Sequence, residues 1–346
     1  MMATLSEAID VERLAGWMRS HIAGFSGPLS LTRFAGGQSN PTYRIDTQAR
    51  AYVLRRKPVG PLLASAHAIE REFRIIAALQ PLHFPVPQPL GLCADECIIG
   101  SAFYIMAFSE GLNYWDGSLP GLPPSTRTAI YHALIDTLAA LHSIDPRSAG
   151  LTDYGKPDNY FARQLARWTK QYRAAQSADL PDIERLIDWL PRSIPEPQGT
   201  CIVHGDFRID NVIFDPSAPE VLAVLDWELS TIGDPMADLS YLLLNWLPGR
   251  QARSSVAGLD YAASGIPDLE SMKTRYCART GRTRLPDLNW YFSFNFFRLA
   301  CIVQGIKQRV QNGTASSPFA AQTALRVPEL ARNAWRSALA AGAPPP

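Results

Sequence analysis

The stretch His204–Asn211, "HGDFRIDN", sets Asp206, Asp210 and Asn211 within six residues and runs directly into the apolar triplet "VIF". A polar turn before a strand can hold such groups simply by bonding them to local backbone. A catalytic loop holds them for chemistry instead, and the surrounding sequence has to separate the two. Downstream, "VLAVLD" is a near-continuous apolar strand that stops at the carboxylate of Asp226. A charge at the end of a buried strand costs on the order of several kcal/mol unless it is paired or bound to a cation.

Asp206 and Asn211 are five residues apart, the interval that a phosphoryl-transfer loop uses for its base and its metal-binding amide. One carboxylate faces an attacking hydroxyl while an oxygen ligand a few residues on holds magnesium. On this reading Asp206 is catalytic, and Asn211 and Asp226 are metal ligands. His204 takes a loop-ordering role, because Gly205 keeps it close to the backbone and no serine or cysteine nucleophile accompanies it. In "GDPMADLSYLLLNW", Asp234 and Pro235 suit the N-cap and first position of a helix. Asp238, one turn in beside Leu239 and Leu242, is placed to brace the backbone of the catalytic loop.

Toward the N-terminus, residues 5–23 show helical spacing, followed by three β-like runs, "LSLTRFAG", "SNPTYRID" and "AYVLRRKP". Gly36 and Gly37, followed by Gln38 and Ser39, make the first connection either a hairpin turn or a phosphate lid; no GK[ST] follows, so it is not a Walker motif. Strand periodicity puts Val53, Arg55 and Lys57 on one face. In the helix predicted over 64–80, Glu72 falls within the apolar stripe of Ile69, Phe73 and Ile76. An acid there needs a cation, and Arg55 is the natural partner. The prolines of "FPVPQPLGLC" predict an extended connection, and "SAFYIMAFSEG" reads as a buried strand ending at Gly111.

Beyond residue 124 the pattern is mainly helical, over 125–143, 158–175, 181–190, 235–246, 268–280, 287–311 and 320–340, with a β island at 200–232. The expected architecture is α+β and bilobal: a small antiparallel-sheet N-lobe, 1–108, and a larger helical C-lobe, 109–346, with a cleft between them. In the last long helix Trp290, Phe294, Phe297 and Cys301 share one face. Arg298, Lys307 and Arg309 would either form a solvated, ion-paired face or meet acceptor phosphates.

Over 346 residues, 33 Lys and Arg against 32 Asp and Glu leave a formal charge of +1. Such a balance supplies no global field toward nucleic acid or an anionic membrane. Five scattered cysteines lack zinc spacing and read as reduced, mostly buried thiols. The N-terminus has neither signal nor transit character, and "WYFSFNFF" is too short to span a bilayer. The expectation is a cytoplasmic protein with no nucleic-acid or membrane partner.

These pieces, in this order, resemble the aminoglycoside phosphotransferase and choline kinase group of the protein-kinase-like fold, most strongly at "HGDFRIDNVIF" and "VLDWELSTIGDPMADL". The resemblance implies ATP and Mg2+ as cofactors and a small-molecule hydroxyl as acceptor. It implies that Asp206 orients that hydroxyl, that Asn211 and Asp226 bind magnesium, and that Glu72 pairs with the cation, Arg55, that holds the phosphates. Gly36, Gly37, Gln38 and Ser39 would cover the phosphates. Met106 would line the adenine pocket, with the backbone of Ala107 and Ser109 bonding the base. Arginine stands at position 55 where the wider kinase pattern has lysine, and Trp227-Glu228 follows Asp226 where that pattern has Phe-Gly. The motifs "GGQSNPTYRI", "YVLRRKP", "SAHAIEREF" and "YFSFNFFRLACIVQGIKQR" resemble a narrower subgroup, the kinase-like domain fused in animals to acyl-CoA dehydrogenases of family members 10 and 11. That points to a hydroxyacyl-CoA acceptor. The alternatives are an aminoglycoside-type antibiotic kinase, a nucleotide-binding regulatory pseudokinase and a metal-dependent phosphohydrolase.

Overall fold

The computed structural model describes residues 9–34, 40–58, 69–250, 252–315 and 319–345. Gly36, Gly37, Gln38 and Ser39, the expected phosphate-covering residues, lie outside the described residues. The chain divides into two compact units. Unit 1 is Met1–Leu112 with Ile213–Pro216 and Val221–Ser230, and unit 2 is the remainder. The division thus falls at Leu112 rather than at residue 108, and the segment 221–230 that contains Asp226 belongs with the first unit although it follows His204–Asn211 in sequence.

Unit 1 begins with α1 (Val11–His21) and the strands β1 (Ser30–Arg33), β2 (Thr42–Asp46) and β3 (Ala51–Arg56). Then come α2 (Ile69–Leu79), β4 (Pro89–Cys93) and β5 (Phe103–Ala107). The proline-rich connection therefore does not stay irregular: it ends in β4, an edge strand, where proline's missing N–H costs no ladder bond. The five strands form an antiparallel sheet in the order β1-β2-β3-β5-β4. Along β3, Tyr52 and Leu54 point to one side and pack with Ile45, Phe103 and Ile105 against Leu14 and Met18 of α1. Fully burying each such side chain contributes about 1.5–3 kcal/mol, so this face fixes the strand register. Arg55 then points to the opposite face, toward α2.

Beyond the short β6 (Leu112–Asn113), the chain forms α3 (Pro124–Ser143), α4 (Tyr160–Ala175) and α5 (Pro181–Trp189). The β island comprises β7 (Cys201–Val203), β8 (Val212–Phe214), β9 (Val221–Val224) and β10 (Thr231–Gly233). It is followed by α6 (Met236–Leu243), α7 (Tyr261–Ser264), α8 (Leu269–Thr280), α9 (Asn289–Gln311), α10 (Ala320–Ala324) and α11 (Val327–Ala340).

In unit 2, Trp290, Phe294, Phe297 and Cys301 of α9 are all buried. Phe161 of α4 meets the Trp290 and Phe294 rings edge-on, each at 5.1 Å. The helix predicted over 320–340 is two helices, because Pro328 near the start of α11 clashes with the carbonyl of Ala324, which ends α10. In the β island β7 pairs antiparallel with β10, Cys201 opposite Gly233. A Cβ at Gly233 would lie 2.5 Å from the Tyr160 ring, so only glycine allows this approach. The pairing sets the loop after β7 beside the first turn of α6, which follows β10.

Candidate active site

The loop after β7 is held from three directions within unit 2. Asp238 of α6, 1% exposed, accepts the backbone N–H of His204 at 2.6 Å and of Gly205 at 2.8 Å. Gly205 adopts φ +86°, a left-handed conformation in which a Cβ would be strained. Its carbonyl accepts a hydrogen bond from Nη2 of Arg298. Nδ1 of the buried His204 accepts the N–H of Asp206 at 3.1 Å. His204 is thus engaged in ordering the loop, and Asp238 is its brace.

The bend presents the carboxylate of Asp206, 17% exposed. Asn211 closes the loop: its Nδ2 donates to the Asp206 carbonyl at 2.9 Å and to Oδ2 at 3.0 Å. With the amide nitrogen spent, Oδ1 is the Asn211 atom left to meet a cation. Arg208 reaches Oδ2 of Asp206 at 3.3 Å and Asp210 at 3.0 Å; Asp210 therefore steadies Arg208. Burial pushes the Asp206 carboxyl up, but Arg208, the Tyr241 hydroxyl, Arg298 and His204 outweigh it and hold the group below the usual carboxylate range. Ionised at neutral pH, Asp206 accepts and aligns a hydroxyl more effectively than it removes a proton outright.

Asp238 is supported in turn. Nε2 of His142 lies 3.5 Å from Oδ2, and Nδ1 of His142 is 2.8 Å from the Tyr276 hydroxyl. Asp234 caps α6, accepting the Met236 N–H at 2.8 Å, and accepts the Gln198 N–H at 2.7 Å.

Unit 1 carries a second cluster, around Arg55. Glu72 of α2, 1% exposed, lies 2.8 Å from Nε of Arg55 and accepts Nη2 at 3.0 Å. It also accepts the Tyr104 hydroxyl at 3.1 Å and the Asn40 amide at 3.3 Å. Tyr104 stands opposite Arg55 in the β3–β5 ladder, so the sheet beneath this carboxylate supplies two of its donors, and Asn40, just before β2, supplies the third. Arg55 also binds Oδ1 of Asp226 at 2.8 Å and lies 3.7 Å from Glu228. The strand expected to stop at Asp226 stops at Val224, and Asp226, two residues beyond β9, sits at φ +67°, a left-handed conformation that aspartate tolerates better than most residues. Lys57 pairs with Glu70 at 2.5 Å, away from this group.

Carboxylate oxygens of Glu72, Asp226 and Glu228 lie within 4.8 Å of one another. The Arg55 guanidinium faces all three carboxylates. Burial opposes the Arg55 charge, yet Glu72, Tyr104 and Asp226 outweigh burial and hold its pKa above the usual range. Burial, reinforced by Asp226, pushes the Glu72 carboxyl up despite Arg55. A hard divalent cation suits this oxygen donor set. Glu228 was not singled out from the sequence. A second carboxylate two residues beyond Asp226 was the available signal.

Met106 is buried opposite Val53, in β5. Ala107 donates its N–H to the Gln88 carbonyl at 2.9 Å, so that donor is spent within the sheet. Ser109 is partly buried. Of the three cations weighed on α9, Arg298 is buried, its guanidinium 5.6 Å from the Trp168 ring; among the described residues it forms no ion pair, whereas Arg309 is exposed.

Residues 30–274 match the phosphotransferase enzyme family. Acyl-CoA dehydrogenase family member 10 of Mus musculus is 47% identical over 336 residues, covering 96% of this chain and 31% of that protein. Acyl-CoA dehydrogenase family member 11 of Rattus norvegicus is 42% identical over 329 residues, covering 93% and 42%. The chain thus spans about a third to two-fifths of the length of these relatives. A crystal structure from Ralstonia eutropha JMP134, provisionally named an aminoglycoside phosphotransferase, is 47% identical with a TM-score of 0.86, covering 96% of this chain and 99% of that one. The aminoglycoside phosphotransferase APH(4)-Ia, solved with ADP and hygromycin B, shares the fold at 16% identity and a TM-score of 0.60, covering 95% and 98%. The chain belongs to the phosphotransferase enzyme family and has its protein-kinase-like fold.

Proposed function

We propose that the chain transfers the terminal phosphoryl group of ATP to a hydroxyl group of a small molecule, with a hydroxyacyl-CoA as the leading acceptor. The observation that carries this reading is the Asp206–Asn211 pair. An ionised carboxylate is fixed on a braced loop, and its partner's amide oxygen remains for a cation. Phosphoryl transfer proceeds through a loose transition state and asks little covalent chemistry of the protein, so positioning and charge neutralisation supply most of the rate.

In this reading Asp206 accepts the acceptor's hydroxyl hydrogen and aligns its oxygen. Arg55, fixed by Glu72, holds phosphate oxygens; its arginine fork is bidentate where a lysine would be a point charge. Asn211 and Asp226 would hold magnesium, which when bound neutralises charge on the phosphates. Met106 and the backbone of Ala107 and Ser109 would receive the adenine, Ala107 through its carbonyl. Nucleotide binding is supported by the ADP complex of the fold neighbour APH(4)-Ia. The hydroxyacyl-CoA assignment draws on the relatedness to acyl-CoA dehydrogenase family members 10 and 11. Among the described residues no helix is long and apolar enough to cross a membrane, and we place the activity in the cytoplasm.

A phosphorylation screen read by mass spectrometry tests this, with hydroxyacyl-CoAs, choline-like alcohols and aminoglycosides as acceptors. The expected result is ATP- and magnesium-dependent phosphorylation of a hydroxyacyl-CoA. ATP binding with no phosphorylated acceptor would favour a regulatory nucleotide-binding protein instead.

A further inference from the structure

Four arginines from four separate segments of unit 2 gather around Tyr241, whose hydroxyl bonds the Asp206 carboxylate. The guanidinium carbons of Arg250 and Arg298 each lie 5.1 Å from the ring centroid. Arg208 comes from the catalytic loop and Arg326 from the turn between α10 and α11.

Two of the four have evident work. Arg208 pairs with Asp206 and Asp210, and Arg298 holds the Gly205 carbonyl. The other two do not. Arg250 is 5% exposed, and among the described residues its guanidinium makes one long hydrogen bond, Nε to Oδ1 of Asn245 at 3.4 Å. Among the described residues no carboxylate lies within ion-pairing distance of it. Among the described residues, the buried Nε of Arg326 has no hydrogen-bond partner. Burial, and then repulsion from Arg250, pull the Arg326 pKa down despite Glu329 nearby. Against four guanidiniums stand Asp206, Asp210 and Glu329, so positive charge is in excess beside the catalytic carboxylate.

The position of Arg250 is constructed. Asn245 ties the following loop together, its Oδ1 also accepting the Ser254 hydroxyl at 3.0 Å and its carbonyl accepting the Val256 N–H at 2.8 Å. Asn333 of α11 donates to the Gly249 carbonyl at 3.0 Å. Arg250 lines an open cavity of about 450 Å³ with Pro248, Gly249, Ser255 and Gly258. A nearly buried, unpaired guanidinium at the wall of such a cavity carries a desolvation cost that an anion would offset.

We propose that Arg250, with Arg326 beside it, recognises the acceptor: the molecule phosphorylated here carries a phosphate or carboxylate group that these arginines hold while its hydroxyl meets Asp206. This rests on the phosphotransfer reading and adds the sign of the acceptor's charge. An aminoglycoside, which is a polycation, would be repelled at this position.

Calorimetric binding to the full chain tests the proposal. The probes are a hydroxyacyl-CoA, the matching hydroxyacyl-pantetheine that lacks the nucleotide phosphates, the free hydroxy acid and an aminoglycoside. The wild type is expected to bind one of the two anionic classes at least about tenfold more tightly than the neutral pantetheine, as one charge-assisted contact implies. Preference for the CoA form assigns a phosphate, and preference for the free acid assigns a carboxylate. Arg250→Gln and Arg326→Gln should each erase most of that preference, and Arg250→Lys should retain much of it. Equal binding of the neutral probe, tightest binding of the aminoglycoside, or a preference unmoved in both Gln variants would overturn the assignment. Turnover assayed on the same samples is a separate result. Charge-selective binding without phosphorylated product would sink the phosphotransfer reading and leave the arginine site standing.

Discussion

One carboxylate, Asp238, accepts the backbone N–H groups of two consecutive residues, His204 at 2.6 Å and Gly205 at 2.8 Å. It thereby fixes the bend from which Asp206 projects. Both donors are buried, so the contact depends on Asp238 accepting through both oxygens.

Asp238→Asn replaces one accepting oxygen with a donor that faces an N–H. Stability to urea should fall by about 2–4 kcal/mol, the range for a buried charge-assisted bond lost with its partner left unpaired. Turnover should fall roughly 100-fold through misplacement of Asp206. A variant with wild-type stability and rate would show that the brace is dispensable.

The same residue sets a pH dependence. Burial pushes the Asp238 carboxyl up, but His142, His204 and the Gly205 N–H outweigh it, and its folded pKa lies below the ordinary value. A folded pKa below the unfolded value of about 3.9 gives a stabilisation fully present above that value and lost as pH falls through the folded pKa. Urea midpoints measured downward from about pH 6 should therefore drop more steeply below about pH 4 in the wild type than in Asp238→Asn. Parallel curves would remove Asp238 from the linkage.

Asp206→Asn should lower phosphorylation by a factor of about 100 to 10,000, the usual span for a positioned acid–base group, while nucleotide affinity stays nearly constant. Because the carboxyl is held low by Arg208 and its neighbours, Asp206 should contribute no acid limb to the rate near neutrality. Rapid-quench turnover and fluorescent-nucleotide titration separate the two effects. Unchanged turnover would remove Asp206 from its proposed role.

At the Arg55 cluster the two partners should not be equivalent. Glu72→Gln leaves Arg55 beside Asp226 and Glu228, whereas Arg55→Ala removes the guanidinium that all three carboxylates face. We expect Arg55→Ala to be the more destabilising, by about 3–5 kcal/mol as for a broken buried pair. Millimolar magnesium should raise its melting temperature more than that of the wild type. Equal magnesium responses would argue against a cation at these oxygens.

Several relationships were legible in the sequence because they are local. The interval from Asp206 to Asn211, the place of Glu72 within an apolar stripe, and Asp238 one turn into its helix all follow from strand and helix periods. Those periods put the Glu72 carboxylate against Arg55 and the Asp238 carboxylate against the loop. The break between α10 and α11 is also written there, in Pro328, although the apolar pattern runs on through it.

Spacing could not show that residues 221–230 join the first unit, or that Arg250, Arg298 and Arg326 gather at Tyr241. A charge's energy depends on which groups share its burial, and those groups come here from elements dozens of residues apart. By itself the sequence placed Asp206, Asp210 and Asn211 within one short loop. Only the tertiary structure decided which charges lie beside it, because burial and long-range packing, rather than local period, set which arginines find a carboxylate and which are left for a ligand.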